Sequence, residues 1–213
     1  MLVSAIILRD LRRAWTGGGL LWPVAFFLLV ATLFPFAVGP DAALIGRIGG
    51  GVIWAAALLA ALLPVERLVA PDVEAGVIDQ YAVRGVPLAS LAFAKIVAHW
   101  LGFAPPLMLA AVVAAGLFDL PAATLLRVEA GLLVGTPGLA ALAVATSALV
   151  TGLRGGGSVA GLVMLPLAIP LLIFGAGSLD GGMGAVKLLG AVSLLLVAGA
   201  PWIAAAAIRI GMD

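Results

Sequence analysis

Cysteine is absent from this 213-residue chain. That excludes disulfides, thiolate metal sites, iron–sulfur clusters and haem attached covalently through a C-x-x-C-H motif. Histidine occurs once, as His99, so the chain alone cannot build a paired-histidine or H-E-x-x-H metal site. Charge is equally scarce: 10% of residues are charged, against roughly 25% in a soluble domain. The formal net charge of +1 gives no bulk attraction for nucleic acid, and none is expected as a partner. No G-x-x-x-x-G-K-[ST] motif occurs, and the pair Gly-Lys is missing altogether, so ATP hydrolysis through a P-loop is not expected. His99 has no glycine-flanked nucleophile of the G-x-S-x-G type to serve. No enzymatic site is therefore expected.

What the chain has in abundance is apolar length. It is 64% hydrophobic with a mean hydropathy of +1.29, the composition of an integral membrane protein. Residues 2–16, LVSAIILRDLRRAWT, place Val3, Ile7, Leu11, Ala14 and Trp15 on one helical face and Arg9, Arg12, Arg13 and Thr16 on the other. That pattern predicts an amphipathic helix lying in the membrane interface. No cleavable signal is evident there. Gly17-Gly18-Gly19 then turns the chain into the bilayer. Six spans of roughly 20 residues or more follow, expected over 20–38, 48–65, 88–117, 125–150, 158–177 and 188–208. Pro105-Pro106 is expected to kink the third. Gly131 and Gly135 stand at G-x-x-x-G spacing in the fourth, and Pro166 and Pro170 lie in the fifth.

One polar stretch interrupts this pattern. VERLVAPDVEAGVIDQYAVRGVPLASLAFAKIVAHW, residues 65–100, holds four of the chain's ten acids. They are Glu66, Asp72, Glu74 and Asp79. Ions at the bilayer centre cost several kcal/mol each, so this island is expected outside the membrane as one or two short helices. Eight of the eleven lysines and arginines fall on its side: Arg9, Arg12, Arg13, Arg67, Arg84, Lys95, Arg154 and Arg209. Arg47, Arg127 and Lys187 fall on the other. The positive-inside rule then places both termini and the 66–86 island in the cytoplasm. Two readings of the island stay open from spacing alone, a solvated loop or a helix that docks on a soluble partner with Val73, Val77, Ile78 and Tyr81 as its apolar contacts. Lys95 is expected to snorkel to the headgroups. His99 is expected to pack beside Trp100 near the membrane face, with axial haem ligation as the sharper alternative.

The run VERLVAPDVEAGVIDQYAV, followed by PLASLAFAKIVAHW, resembles the haem exporter protein B family, the permease subunit of the cytochrome c maturation ABC transporter. The resemblance continues through the prolines at 105–106, LLVGTPGLAALAVATSALVTGLRGGG at 132–157, VMLPLAIPLLIFGAGS at 163–178 and AAAIRI at 205–210, so it covers essentially the whole chain. It implies an all-α membrane protein that forms a single permease domain over 1–213. This is an ABC-2-type exporter permease with six transmembrane helices, an N-terminal interfacial helix and a cytoplasmic coupling helix within 66–86. Such a permease is expected in the bacterial inner membrane, partnered by an ABC ATPase subunit and a second permease copy. A haem-handling membrane subunit and a small membrane subunit complete the complex, and a periplasmic haem chaperone is served indirectly. The chain is expected to hold no cofactor firmly, with haem only in the assembled complex and ATP on the partner subunit.

The function so implied is coupling of the partner's ATP hydrolysis either to haem export or to release of the haem-loaded chaperone. The family's tryptophan-rich haem motif belongs to the partner and is missing here, which favours release. The alternatives are the permease of another ABC-2 exporter or a non-transporting scaffold for haem handling. Carried onto this sequence, Glu66, Arg67, Asp72, Glu74, Gly76 and Asp79 are the expected coupling contacts. Lys95, His99 and Trp100 are further functional candidates, and Gly135, Pro137, Pro166 and Pro170 are structural ones.

Overall fold

A computed structural model describes residues 2–16, 19, 21–151, 153, 156–179 and 182–212. It contains helices α1 (Leu2–Thr16), α2 (Leu21–Val38), α3 (Ala42–Leu62), α4 (Ala70–Glu74), α5 (Val77–Val83), α6 (Leu88–Leu117), α7 (Ala122–Val150), α8 (Gly156–Gly177) and α9 (Gly182–Met212), with a single 3-10 turn over Val65–Arg67. There is no strand among the described residues. Six of the helices are long and apolar enough to cross a membrane, and the chain is a multi-pass membrane protein. Gly17 and Gly18 of the expected turn, Leu20 at the start of the first expected span, and Arg154 and Gly155 after the fourth lie outside the described residues.

Two boundaries move outward from their expected positions. Asp41, which follows Gly39-Pro40 ahead of the second expected span, is the N-cap of α3: its carboxylate accepts a hydrogen bond from the Leu44 amide at 3.0 Å. The capped helix therefore begins at Ala42, and Arg47 rides on its second turn instead of ending the loop. The glycine-rich segment before Leu188 also belongs to a helix, because α9 starts at Gly182. Methionine, alanine, valine and lysine supply helix-forming residues between its glycines. The third helix runs as one element through Pro105 and Pro106 over the expected range.

Helix α7 is the axis of the bundle. Of its most apolar stretch 78% is buried, against 17% for α2 at the periphery, and it packs on α3, α6, α8 and α9. Lipid tails are as apolar as leucine, so helix association in a bilayer rests on close packing and interhelical hydrogen bonds. Helix α7 supplies both. Its second half is lined by buried alanines from Ala140 to Ala148. The Pro137 ring removes one backbone donor, and the next amide, of Gly138, donates to Ser193 Oγ on α9 at 2.9 Å. Trp100 Nε1 on α6 donates to Thr136 Oγ1 at 3.1 Å. Pro137 thus stands where α7 is pinned to its neighbours. Pro166, by contrast, faces outward from α8, and Pro170 is half-buried.

The buried side chains form two cores. The larger joins α2, α3, α6, α7, α8 and the first half of α9. The smaller gathers Ile6, Val69, Ile78, Leu91, Val144, Ala204 and Ile208 with their neighbours. Its members come from α1, the polar island, the start of α6, the end of α7 and the end of α9. Both chain ends and the island therefore meet at one end of the bundle, called the basic end below for the arginines it carries.

Candidate functional site

The polar island is built as three short elements because its sequence keeps stopping helices. Pro64 opens the 3-10 turn, Pro71 sits in the first turn of α4, and Gly76 separates α4 from α5. Gly76 has a φ of +65°, a left-handed conformation that costs a side-chain-bearing residue roughly 1–2 kcal/mol. Its place is therefore a backbone turn that aims α5, and it offers no side chain as a coupling contact. Nothing lies within 4 Å of where a Cβ would stand, so the effect of substitution isolates the backbone. Gly76→Val is expected to destabilise the turn by about 1–2 kcal/mol, with Gly76→Asn intermediate because asparagine visits this region more readily. Thermal unfolding and protease cleavage between α4 and α5 would reveal it.

The island's acids divide into two sets. Glu66, Glu74 and Asp79 are exposed, as is Arg67. Asp72 is the exception: only 3% of it is exposed, and it points into the protein. There it meets Lys95 Nζ on Oδ2, Arg9 Nη2 at 2.6 Å and Arg13 Nη1 at 3.2 Å. Lys95 Nζ also donates to Asp10 Oδ2 at 3.3 Å and to the Leu68 carbonyl at 2.9 Å. All three ammonium hydrogens are thereby engaged. Arg9 closes the ring by donating to Asp10 Oδ1 from Nε at 2.8 Å. Burial works against the charged form of Asp72. Lys95 and Arg9 together outweigh it and hold the carboxyl below its ordinary range. Burial likewise acts against the Arg9 cation, but Asp10 and Asp72 leave its pKa raised.

This cluster corrects three expectations. Lys95 does not snorkel to the headgroups: it is 5% exposed and turned inward. Asp72 is occupied within the chain by a clamp that joins α1, α4 and α6, and it presents no free carboxylate to a partner. The apolar residues of the island also turn inward. Ile78 is buried, and Val73 and Tyr81 pack on the smaller core. The large apolar side chain left exposed on α5 is Val83, at 89%. Helix α1 differs similarly. Ile6, which the expected apolar face does not include, is buried with Val3 and Ile7 packed beside it, while Trp15 of that face stays 65% exposed, and two arginines of the polar face reach Asp72.

Below the clamp lies a cavity of about 460 Å³ between α1, α2, the 3-10 turn and α6. His99 and Phe103 contribute to its wall. Their rings stack with centroids 5.6 Å apart and 23° between planes. His99 Nε2 is closed off from solvent and finds no hydrogen-bond partner among the described residues. Trp100, its neighbour in sequence, is committed to Thr136 on the α7 side.

Sequence reasoning missed three residues that matter. Asp10, inside a run of arginines, is a bridging member of the clamp. Trp54 is 1% exposed and lies in a cradle of glycines on α7 and α8. Glu129, on α7, is half-buried, with Oε1 lacking a partner among the described residues. The signal for Trp54 was the G-x-x-x-G pair itself, since glycines at that spacing leave room for something large. No local signal marks the other two.

The sequence profile of the CcmB protein family matches residues 1–211. The heme exporter protein B of Paracoccus denitrificans (strain Pd 1222) is 42% identical, covering 99% of this chain and all of the relative. That of Haemophilus influenzae is 41% identical over the full length of both chains. That of Escherichia coli (strain K12) is 37% identical over 90% of each.

Proposed function

The chain belongs to the CcmB protein family, and from that premise we propose that it is the membrane permease subunit of an ATP-driven haem export system serving cytochrome c maturation. It is a transporter subunit and carries out no hydrolysis itself. A separate ABC ATPase subunit docks on α4 and α5, and a second permease copy, a haem-handling membrane subunit and a small membrane subunit complete the complex. The chain sits in the bacterial inner membrane with both termini and the basic end in the cytoplasm, as the basic residues favour.

The observation that carries this reading is the division of labour in the island. Its inner side, through Asp72 and Ile78, is fixed to three parts of the permease. Its outer side presents Glu74, Asp79 and Val83 to solvent. An element rigidly joined to membrane helices and carrying acids around an apolar tip is suited to receive force from a soluble partner. Of the two cargo routes, release of the haem-loaded chaperone is favoured. The ground is that this chain lacks the tryptophan-rich haem motif expected of the haem-handling partner.

The test is co-purification. Glu74→Lys/Asp79→Lys reverses the outer charge without touching the clamp. It is expected to weaken recovery of the ATPase subunit by about tenfold or more, since close charge pairs across interfaces couple by roughly 1.5 kcal/mol upward. Membrane insertion should be unchanged. Undiminished recovery from a normally inserted variant would remove the docking assignment.

A further inference from the structure

The cavity under the clamp is amphipathic along its length. Its walls begin at Asp10, Arg13, Asp72 and Lys95 and continue down α6 to Gly102 and Phe103. From Lys95 to Phe103 is eight helical steps, or about 12 Å at 1.5 Å per residue. The upper part is thus ionic and the lower part mostly apolar, with His99 as its one polar side chain and Pro23 and Val24 of α2 among its other lining residues. Trp22, at the start of α2 and 66% exposed, stands at the cavity's side at the level where membrane tryptophans sit among headgroups.

The charge in the upper part is unbalanced. Asp10 and Asp72 are shared among Arg9, Arg13 and Lys95, three cations against two anions. Arg67 also lines the cavity and has no ion-pair partner among the described residues. The local balance is two positive charges beside an apolar slot. A neutral or zwitterionic occupant leaves that balance uncorrected, whereas an anion on an apolar tail corrects it. A cavity of about 460 Å³ falls within the 300–1,000 Å³ typical of small-molecule sites.

We propose that this cavity binds an anionic diacylphospholipid from the leaflet at the basic end, its phosphodiester between Arg13 and Arg67 and an acyl chain along Val24 and Phe103. The lipid touches α1, α2, the 3-10 turn and α6 together, so it completes the wall that the clamp closes from above.

The experiment uses the full permease with its partner subunits in phosphatidylcholine nanodiscs. These are doped with phosphatidylglycerol or with phosphatidylcholine carrying the same photoactivatable acyl chain, and the adducts are mapped by mass spectrometry. The expected result is enrichment of phosphatidylglycerol adducts on peptides containing 22–24 and 98–103. The excess over phosphatidylcholine should be about fivefold or more, on the scale of about 1 kcal/mol per basic residue. Arg67→Gln, at an exposed position, should remove about fivefold of that preference. Excess soluble glycerol phosphate should leave the labelling unchanged. Equal labelling by the two lipids in the unaltered protein overturns the proposal without reference to any variant. So does displacement by glycerol phosphate, which would make this a site for free phosphate.

Discussion

Replacing Asp72 with alanine is expected to lower the stability of the purified protein by about 3 kcal/mol, the lower part of the range for breaking a buried ion pair from one side. The cost arises because Lys95, 5% exposed, keeps its charge and loses its nearest counter-ion, while Arg13 loses its ion pair and Arg9 is left with Asp10 alone. Lys95→Met alone should cost less, because Asp72 keeps both arginines. The double variant Asp72→Ala/Lys95→Met should be more stable than the sum of the single losses predicts, since it removes both members of the innermost pair. Strict additivity in thermal unfolding would show that the two do not act as a pair. The pH dependence follows from the lowered Asp72 pKa. Its contribution is complete above the ordinary carboxylate range and is lost as pH falls through the depressed folded value. The variant and the unaltered protein should therefore differ at neutral pH and converge below about pH 4. In the proposed complex with an ATPase subunit the same change should leave ATP hydrolysis less well coupled to haem delivery, because α4 is no longer held to α1 and α6.

The elements were legible in the sequence because a bilayer leaves few choices. Every spanning backbone must satisfy its own hydrogen bonds, so apolar length alone marks helices such as α6, whose bounds agree with expectation. The places where the reading slipped are those decided by partners distant in sequence. Asp41 looked like turn chemistry and is also cap chemistry; only its bond to the Leu44 amide separates the two. Asp72 looked like Glu66 or Glu74, an acid in a polar loop, and nothing local says that it faces inward. What turns it is the approach of Arg9, 63 residues away, and of Lys95 from another helix. The pattern of α1 marks an amphipathic helix but does not say which residues meet protein: Ile6, off the expected apolar face, is buried, and Trp15, on it, is exposed. The sequence therefore marks the 66–86 segment as a polar island but does not separate its inward-facing acid from its outward-facing ones.

The second large effect is expected where Trp54 enters its glycine cradle. A Cβ at Gly175 would fall 2.6 Å from Cδ2 and Cε2 of the indole, and a Cβ at Gly135 2.6 Å from Cη2. Real contacts are never this close, so one helix must move. The indole cannot yield easily, because it is held on one side by α7 and on the other by α8 while its own backbone belongs to α3. Gly175→Ala is expected to cost about 2–3 kcal/mol, and Gly135→Val as much or more, as overpacking of a closely fitted core. Gly131→Ala should be milder, since its Cβ would stand 3.1 Å from Cζ2. The discriminating variant is Trp54→Leu. Alone it loses apolar contact and leaves a void, which destabilises. Combined with Gly175→Ala, it gives the new methyl room and should recover most of the alanine penalty. Thermal unfolding of the four proteins completes the cycle. If Gly175→Ala costs as much beside leucine as beside tryptophan, the glycine serves the α8 backbone and not the indole. Recovery instead makes Gly175 the α8 wall of a socket for a third helix, opposite Gly131 and Gly135 of α7. Helix α3 is then locked in depth by Trp54 and joined at its end to the segment that carries the clamp.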